Sequence, residues 1–76
     1  MAEWRVVADE EGRTEWERGD RFVRVVVRRT ATGEWATTLD ALEQAPEGPA
    51  YERETYPRRE AAADRARTWR ERYARD

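Results

Sequence analysis

The 76 residues contain 15 basic residues, every one of them Arg, against 17 Asp plus Glu, for a formal net charge of −2. Charged residues reach 42% and hydrophobic ones 38%, with four Trp, no Cys and no His. Residues 1–76 therefore make one domain at most, with no disulfide and no ordinary structural metal site. Because Lys, Ser, His and Cys are all missing, no catalytic residue, cofactor or metal is expected. No apolar run approaches a membrane span and the acidic N-terminus is not a signal peptide, so a soluble cytoplasmic protein without a membrane partner is expected.

Trp4, Val6 and Ala8 alternate and predict a first strand at 3–9. Runs 13–18 and 21–29 flank Gly19-Asp20, which reads as a two-residue hairpin loop. That register sets Arg18 opposite Arg21, Trp16 opposite Val23, Glu15 opposite Arg24 and Thr14 opposite Val25. Side chains alternate between faces, so Trp16, Val23, Val25 and Val27 form the core face. Glu15, Glu17, Phe22, Arg24, Val26 and Arg28 form the outer one.

The next turn ends at Gly33, and its length matters. A four-residue loop would throw Trp35 and Leu39 onto the polar face. A three-residue loop with Gly33 left-handed pairs Arg29 with Trp35, Val27 with Thr37 and Val25 with Leu39. Burial selects the second, because one slipped residue inverts a strand. The strand it starts is placed at 34–39. Residues 40–45 fit either a short helix or a bulged extension, 46–49 form a turn, and 50–55 make the last strand, with Tyr51 its expected core contact.

From Pro57, suited to a first helical turn, the period becomes helical to residue 74. Ala62, Ala66, Trp69 and Tyr73 share one stripe, with Asp64–Arg67 and Glu71–Arg75 as intrahelical pairs. The fold class is α+β: an antiparallel four- to five-stranded sheet with one C-terminal helix across one face. Sixteen large apolar residues beyond Met1 make a thin core, which a dimer interface or high salt would supplement.

Charge alternates in blocks: −4 over residues 1–20, +3 over 21–35, −4 over 36–57 and +3 over 58–76. Neighbouring elements are expected to neutralise one another. The carboxylate pairs Glu15/Glu17 and Glu52/Glu54 each share a strand face. A glycosidase-like pair needs a cleft that raises one pKa, so both pairs read as solvated faces. Asp9, Glu10 and Glu11 lack calcium-loop spacing.

Arg24 and Arg28 beside Phe22, or Arg58 and Arg59 at the helix start, are candidate nucleic-acid contacts, although no recognised nucleic-acid motif accompanies them. Glu15 across from Arg24 would oppose a phosphate. Phe22 and Val26, flanked by Arg24, Arg28, Glu15 and Glu17, form the candidate interaction face. The leading expectation is a non-enzymatic binding or self-association module, its partner a second copy or an unidentified protein. A nucleic-acid-binding accessory domain is the alternative.

Glu15-Trp16-Glu17-Arg18, Gly33-Glu34-Trp35, the stretch from Gln44 to Tyr51, and Arg59-Glu60-Ala61 leading to Trp69 resemble a group of small uncharacterised haloarchaeal proteins, a domain of unknown function. The resemblance spans most of the chain and implies a fold without implying a catalytic residue. The absence of Lys, Ile and Asn also accords with a GC-rich genome. In architecture alone, a sheet backed by a C-terminal helix is similar to AP2-type and integrase-arm DNA-binding domains, a likeness that carries no function by itself.

Overall fold

Five alternating segments pair into one antiparallel meander, β1 (Trp4–Glu10), β2 (Arg13–Arg18), β3 (Val23–Arg29), β4 (Trp35–Ala41) and β5 (Ala50–Tyr56), in the order β1-β2-β3-β4-β5. One helix follows, α1 (Arg59–Arg72). This computed structural model describes residues 3–74.

Period-two alternation puts Val23, Val25, Val27, Leu39 and Ala41 on the inner face, where they bury against Ala62, Ala66 and Trp69 of α1. The two alanines let the helix lie close: the Thr37 hydroxyl on β4 donates to the Ala62 carbonyl at 2.8 Å. Trp4 extends this cover toward β1 by donating from its indole N–H to the Arg70 carbonyl at 2.8 Å. The Arg70 guanidinium sits 4.2 Å above the Trp16 ring.

The β3–β4 turn is the three-residue loop that burial selects. Gly33 is left-handed at φ 86°, the Thr30 N–H donates to the Glu34 carbonyl, and Arg29, Val27 and Val25 pair with Trp35, Thr37 and Leu39. Asp40 and Ala41 continue β4, which settles the open choice at 40–45 as a short strand extension followed by turns. The Ala45 N–H donates to the Leu42 carbonyl and the Gly48 N–H to the Ala45 carbonyl.

Three expectations need correction. The β2–β3 loop holds four residues: Trp16 pairs with Val25 and Glu17 with Arg24, two positions from the register expected. Asp20 causes this. Its carboxylate accepts the Phe22 N–H at 3.0 Å, while the Arg21 N–H closes a turn onto the Arg18 carbonyl with Arg21 left-handed at φ 69°. A two-residue slip preserves faces, so only the pairing changes, but Phe22 leaves the strand.

Tyr51 is not a core contact. It pairs with Asp40 and is 67% exposed, whereas Ala50 and Tyr56, of the opposite parity, pack against the core. Pro57 lies outside α1, whose N-cap is Arg58. Within the helix, Asp64 and Arg67 pair at 3.2 Å; Arg75, expected to meet Glu71, lies outside the described residues.

Candidate functional site

The single helix covers the inner face and leaves the outer one open. Register across the strands arranges that face in rows. One row runs Arg5, Glu17, Arg24, Asp40, Tyr51. The middle row runs Ala8, Glu15, Val26, Thr38, Arg53, and the third Glu10, Arg13, Arg28, Ala36, Thr55. Val26 and Thr38 make the centre of the face low and small, and long charged side chains surround them.

On the β1–β3 half these charges close into a mesh. Arg5 reaches Glu17 at 2.7 Å, Arg24 reaches Glu17 and Glu15 at 3.2 Å each, and Arg13 pairs with Glu15. The two acids are not solvated as expected: Glu15 is 6% and Glu17 8% exposed, covered by the guanidinium groups. The hydrogen bond from Arg5, offset in part by burial and reinforced by Arg24, holds the Glu17 carboxyl below its ordinary range.

On the β3–β5 half, Arg28 and Arg53 are exposed, and neither meets an acid among the described residues. Arg13, directly across from Arg28, is drawn to Glu10 and Glu15. Tyr51 and Asp40 stand exposed beside them.

The residues expected to form an interaction face are only partly brought together. Glu15, Glu17, Arg24, Val26 and Arg28 share the open face; Phe22 does not join Val26 at its centre. Phe22 is half-buried in the β2–β3 loop, against the core, and lines a shallow hollow with Arg24, Asp40 and Leu42. Arg58 and Arg59 lie away from Arg24 and Arg28, with Arg59 5.6 Å from the Trp35 ring on the helix side. Glu52 and Glu54 belong to the helix side too, where they meet Arg72 at 3.6 Å and Arg65 at 3.2 Å. Both stay partly exposed, at 44% and 39% of their side chains, and pair with the helix arginines from that solvated position.

Three features were missed from sequence. Val6 and Val7, 55% and 45% exposed, lie at the free edge of β1, where Val7 is the extra residue of a bulge between Val6 and Ala8. Arg53 carries a free charge, and Tyr51 an exposed ring. Only strand parity counted back from Tyr56 would have placed these last two outward. Among the described residues no group of three or more Asp or Glu is arranged to hold a metal, and no helix is long and apolar enough to cross a membrane.

Against known proteins, a family model described as a family of unknown function (DUF7543) matches residues 2–72. The chain belongs to that family. Neither the curated proteins nor the solved structures hold a significant match.

Proposed function

We propose that this chain is a small, soluble, cytoplasmic, non-enzymatic module that self-associates through the free edge of β1. The observation that carries this is the adjacent pair Val6 and Val7, two of the four large hydrophobic residues left exposed among the described residues, on an edge strand whose outer side has no partner strand. Contiguous apolar exposure at a sheet edge is the usual mark of a pairing surface. The strand is also self-complementary. Arg5 lies at one end and Asp9 and Glu10 at the other, so an antiparallel second copy related by a two-fold axis near Val7 brings unlike charges together. The bulge keeps backbone pairing short, so the valine side chains supply most of the contact. Non-enzymatic action is supported by the shallow hollow beside Phe22 and by the pairing of Glu15, Glu17, Glu52 and Glu54 with arginines.

Sedimentation equilibrium across concentration, in low and high salt, tests this. The parent dimerises, Val6→Glu and Val7→Glu are folded monomers whose melting no longer rises with concentration, and Val26→Glu remains a dimer. A parent that stays monomeric at high concentration in both salts overturns the proposal. So does a dimer that dissolves with Val26→Glu alone.

A further inference from the structure

The open face has a second property that dimerisation at β1 does not use. Its β3–β5 half carries two exposed guanidiniums without acid partners, Arg28 and Arg53, and an exposed aromatic ring, Tyr51. Between them lies a floor of half-buried side chains, Val26 and Thr38. Tyr51 and Arg53 are next neighbours on one face of β5, about 7 Å apart. Arg28 lies two strands over and one row further on, about 12 Å from Arg53 and about 17 Å from Tyr51. The acids that would repel a phosphate are nearly covered: Glu15 and Glu17 are 6% and 8% exposed beneath the guanidiniums that bind them. An incoming anion meets the outer edges of Arg24 and Arg28 and not those carboxylates. Two acids remain exposed: Glu10, paired with Arg13 at the β1 edge, and Asp40, directly opposite Tyr51.

We propose that this half-face binds single-stranded nucleic acid, one base stacked on Tyr51 and successive phosphates to one side of it held first by Arg53 and then by Arg28. Each feature answers a part of that ligand. A tyrosine on a sheet surface stacks an unpaired base. Unpaired guanidiniums neutralise phosphates, and the small floor leaves room for the sugar and base to lie flat. Asp40, an acceptor at the edge of the stacked ring, favours a base with an exocyclic amine such as cytosine. A duplex keeps its bases inside and offers Tyr51 nothing to stack on. The partner is thus the strand with its bases exposed.

Two phosphate contacts imply a shallow salt dependence. With a slope of about −0.7 per phosphate for single strands, affinity falls roughly sevenfold between 50 and 200 mM salt. Fluorescence anisotropy with a labelled short oligocytidylate, the matching oligouridylate and a short duplex tests the proposal. The parent is expected to prefer oligocytidylate to oligouridylate and both to duplex. Tyr51→Ala weakens binding at least about fivefold. Arg28→Ala and Arg53→Ala each weaken it and flatten the salt slope by about 0.7. Asp40→Asn removes the preference for cytosine. All four side chains are exposed, so melting temperatures stay at the parent value and losses report the surface. Val6→Glu leaves binding intact, which separates this site from self-association at β1. The absence of oligonucleotide binding at 50 mM salt overturns the proposal, as does binding that survives Tyr51→Ala together with Arg53→Ala, or a preference for duplex. Loss of binding on Arg58→Ala with no loss on Arg53→Ala would move the contact to the helix start and refute this placement.

Discussion

Arg18→Met is the sharpest test of how this fold is held at its open end. Arg18 is on the inner face of β2, where alternation calls for an apolar residue, and it is fully buried. Its guanidinium donates to Asp20 at 3.0 Å, to Glu47 at 2.8 and 3.2 Å, and to the Tyr73 carbonyl at the helix end at 2.9 Å. One side chain thus ties the β2–β3 loop, the β4–β5 connection and the C-terminus of α1. Burial works against its charge, but its hydrogen bonds to Glu47 and Asp20 outweigh that and raise its pKa. Removing one member of a buried pair costs about 3–5 kcal/mol, because the partner is left charged and unpaired. Here the Asp20 and Glu47 side chains remain 28% and 26% exposed and can regain water, so the cost sits near 3 kcal/mol. For a domain of this size each kcal/mol shifts the midpoint by about 4–8 °C, giving a fall of roughly 12–24 °C. Thermal melts followed by circular dichroism, with urea midpoints, measure it. The same change made on an Asp20→Asn, Glu47→Gln background should cost much less, because no charge is stranded. If Arg18→Met alone melts within about 5 °C of the parent, the buried network contributes little and this account of the end of the fold is wrong.

Trp69 is fully buried, so Trp69→Ala should cost on the order of 3–5 kcal/mol and leave little folded protein by circular dichroism. Its indole N–H has no partner among the described residues, so Trp69→Phe should lose less than half as much. A Phe variant as damaged as Ala would mean that the N–H is satisfied in solution. Acid should destabilise the fold. The carboxyls of Glu17 and Asp20 lie below their ordinary values; for Asp20, burial opposes charge but bonds from Arg18 and the Phe22 N–H outweigh it. A lowered folded-state pKa gives stability that is complete above about pH 4.5 and is lost as pH falls further. Melting temperature should therefore be flat from neutrality to about pH 5 and drop below it; Glu17→Gln should shallow the drop, and an acid limb of unchanged slope would contradict the assignment. Gly33→Ala should cost about 1–2 kcal/mol from the left-handed backbone alone, since no atom lies within 4 Å of the added carbon. A melt equal to the parent's would show the turn to be adaptable.

How much of this was legible in the sequence depended on whether an error would have moved a side chain across the sheet. At Gly33 a one-residue change in loop length expels Trp35 and Leu39 from the core, so burial alone decided the turn. At Gly19-Asp20 the competing registers differ by two residues and bury the same face, so nothing in the hydrophobic pattern separated them. The deciding contacts are polar: the Asp20 carboxylate on the Phe22 N–H, and Arg18 buried among Asp20, Glu47 and Tyr73. Those partners are up to 55 residues apart, beyond any local pattern. Tyr51 misled for the opposite reason. In β5 the inward positions Glu52 and Glu54 are charged, which reads as a solvent face, because their partners Arg72 and Arg65 come from a helix that has yet to begin. The open face was recognisable as a set of residues, but its free charges were not, since they depend on which arginines the mesh consumes.

The alternating charge blocks explain what remains on that face. Unlike blocks do meet in space: Arg24 of the second block closes on Glu15 and Glu17 of the first, and Arg65 and Arg72 of the fourth close on Glu54 and Glu52 of the third. Neutralisation by neighbours needs a strand or helix on the right side, and β5 has only β4 beside it in the sheet. Its inward acids are met by the helix. Its outward arginine, Arg53, has Thr38 for its cross-strand neighbour, and on β3 the neighbours of Arg28 are Ala36 and another arginine. The same topology that satisfies the inner charges leaves two guanidiniums unmatched on the outer surface among the described residues, and the ring of Tyr51 faces the same way beside Arg53. An acid at the half-buried Thr38 position would cancel the charge of Arg53. The small neutral residue there keeps that guanidinium free, which is the condition a phosphate-bearing strand requires.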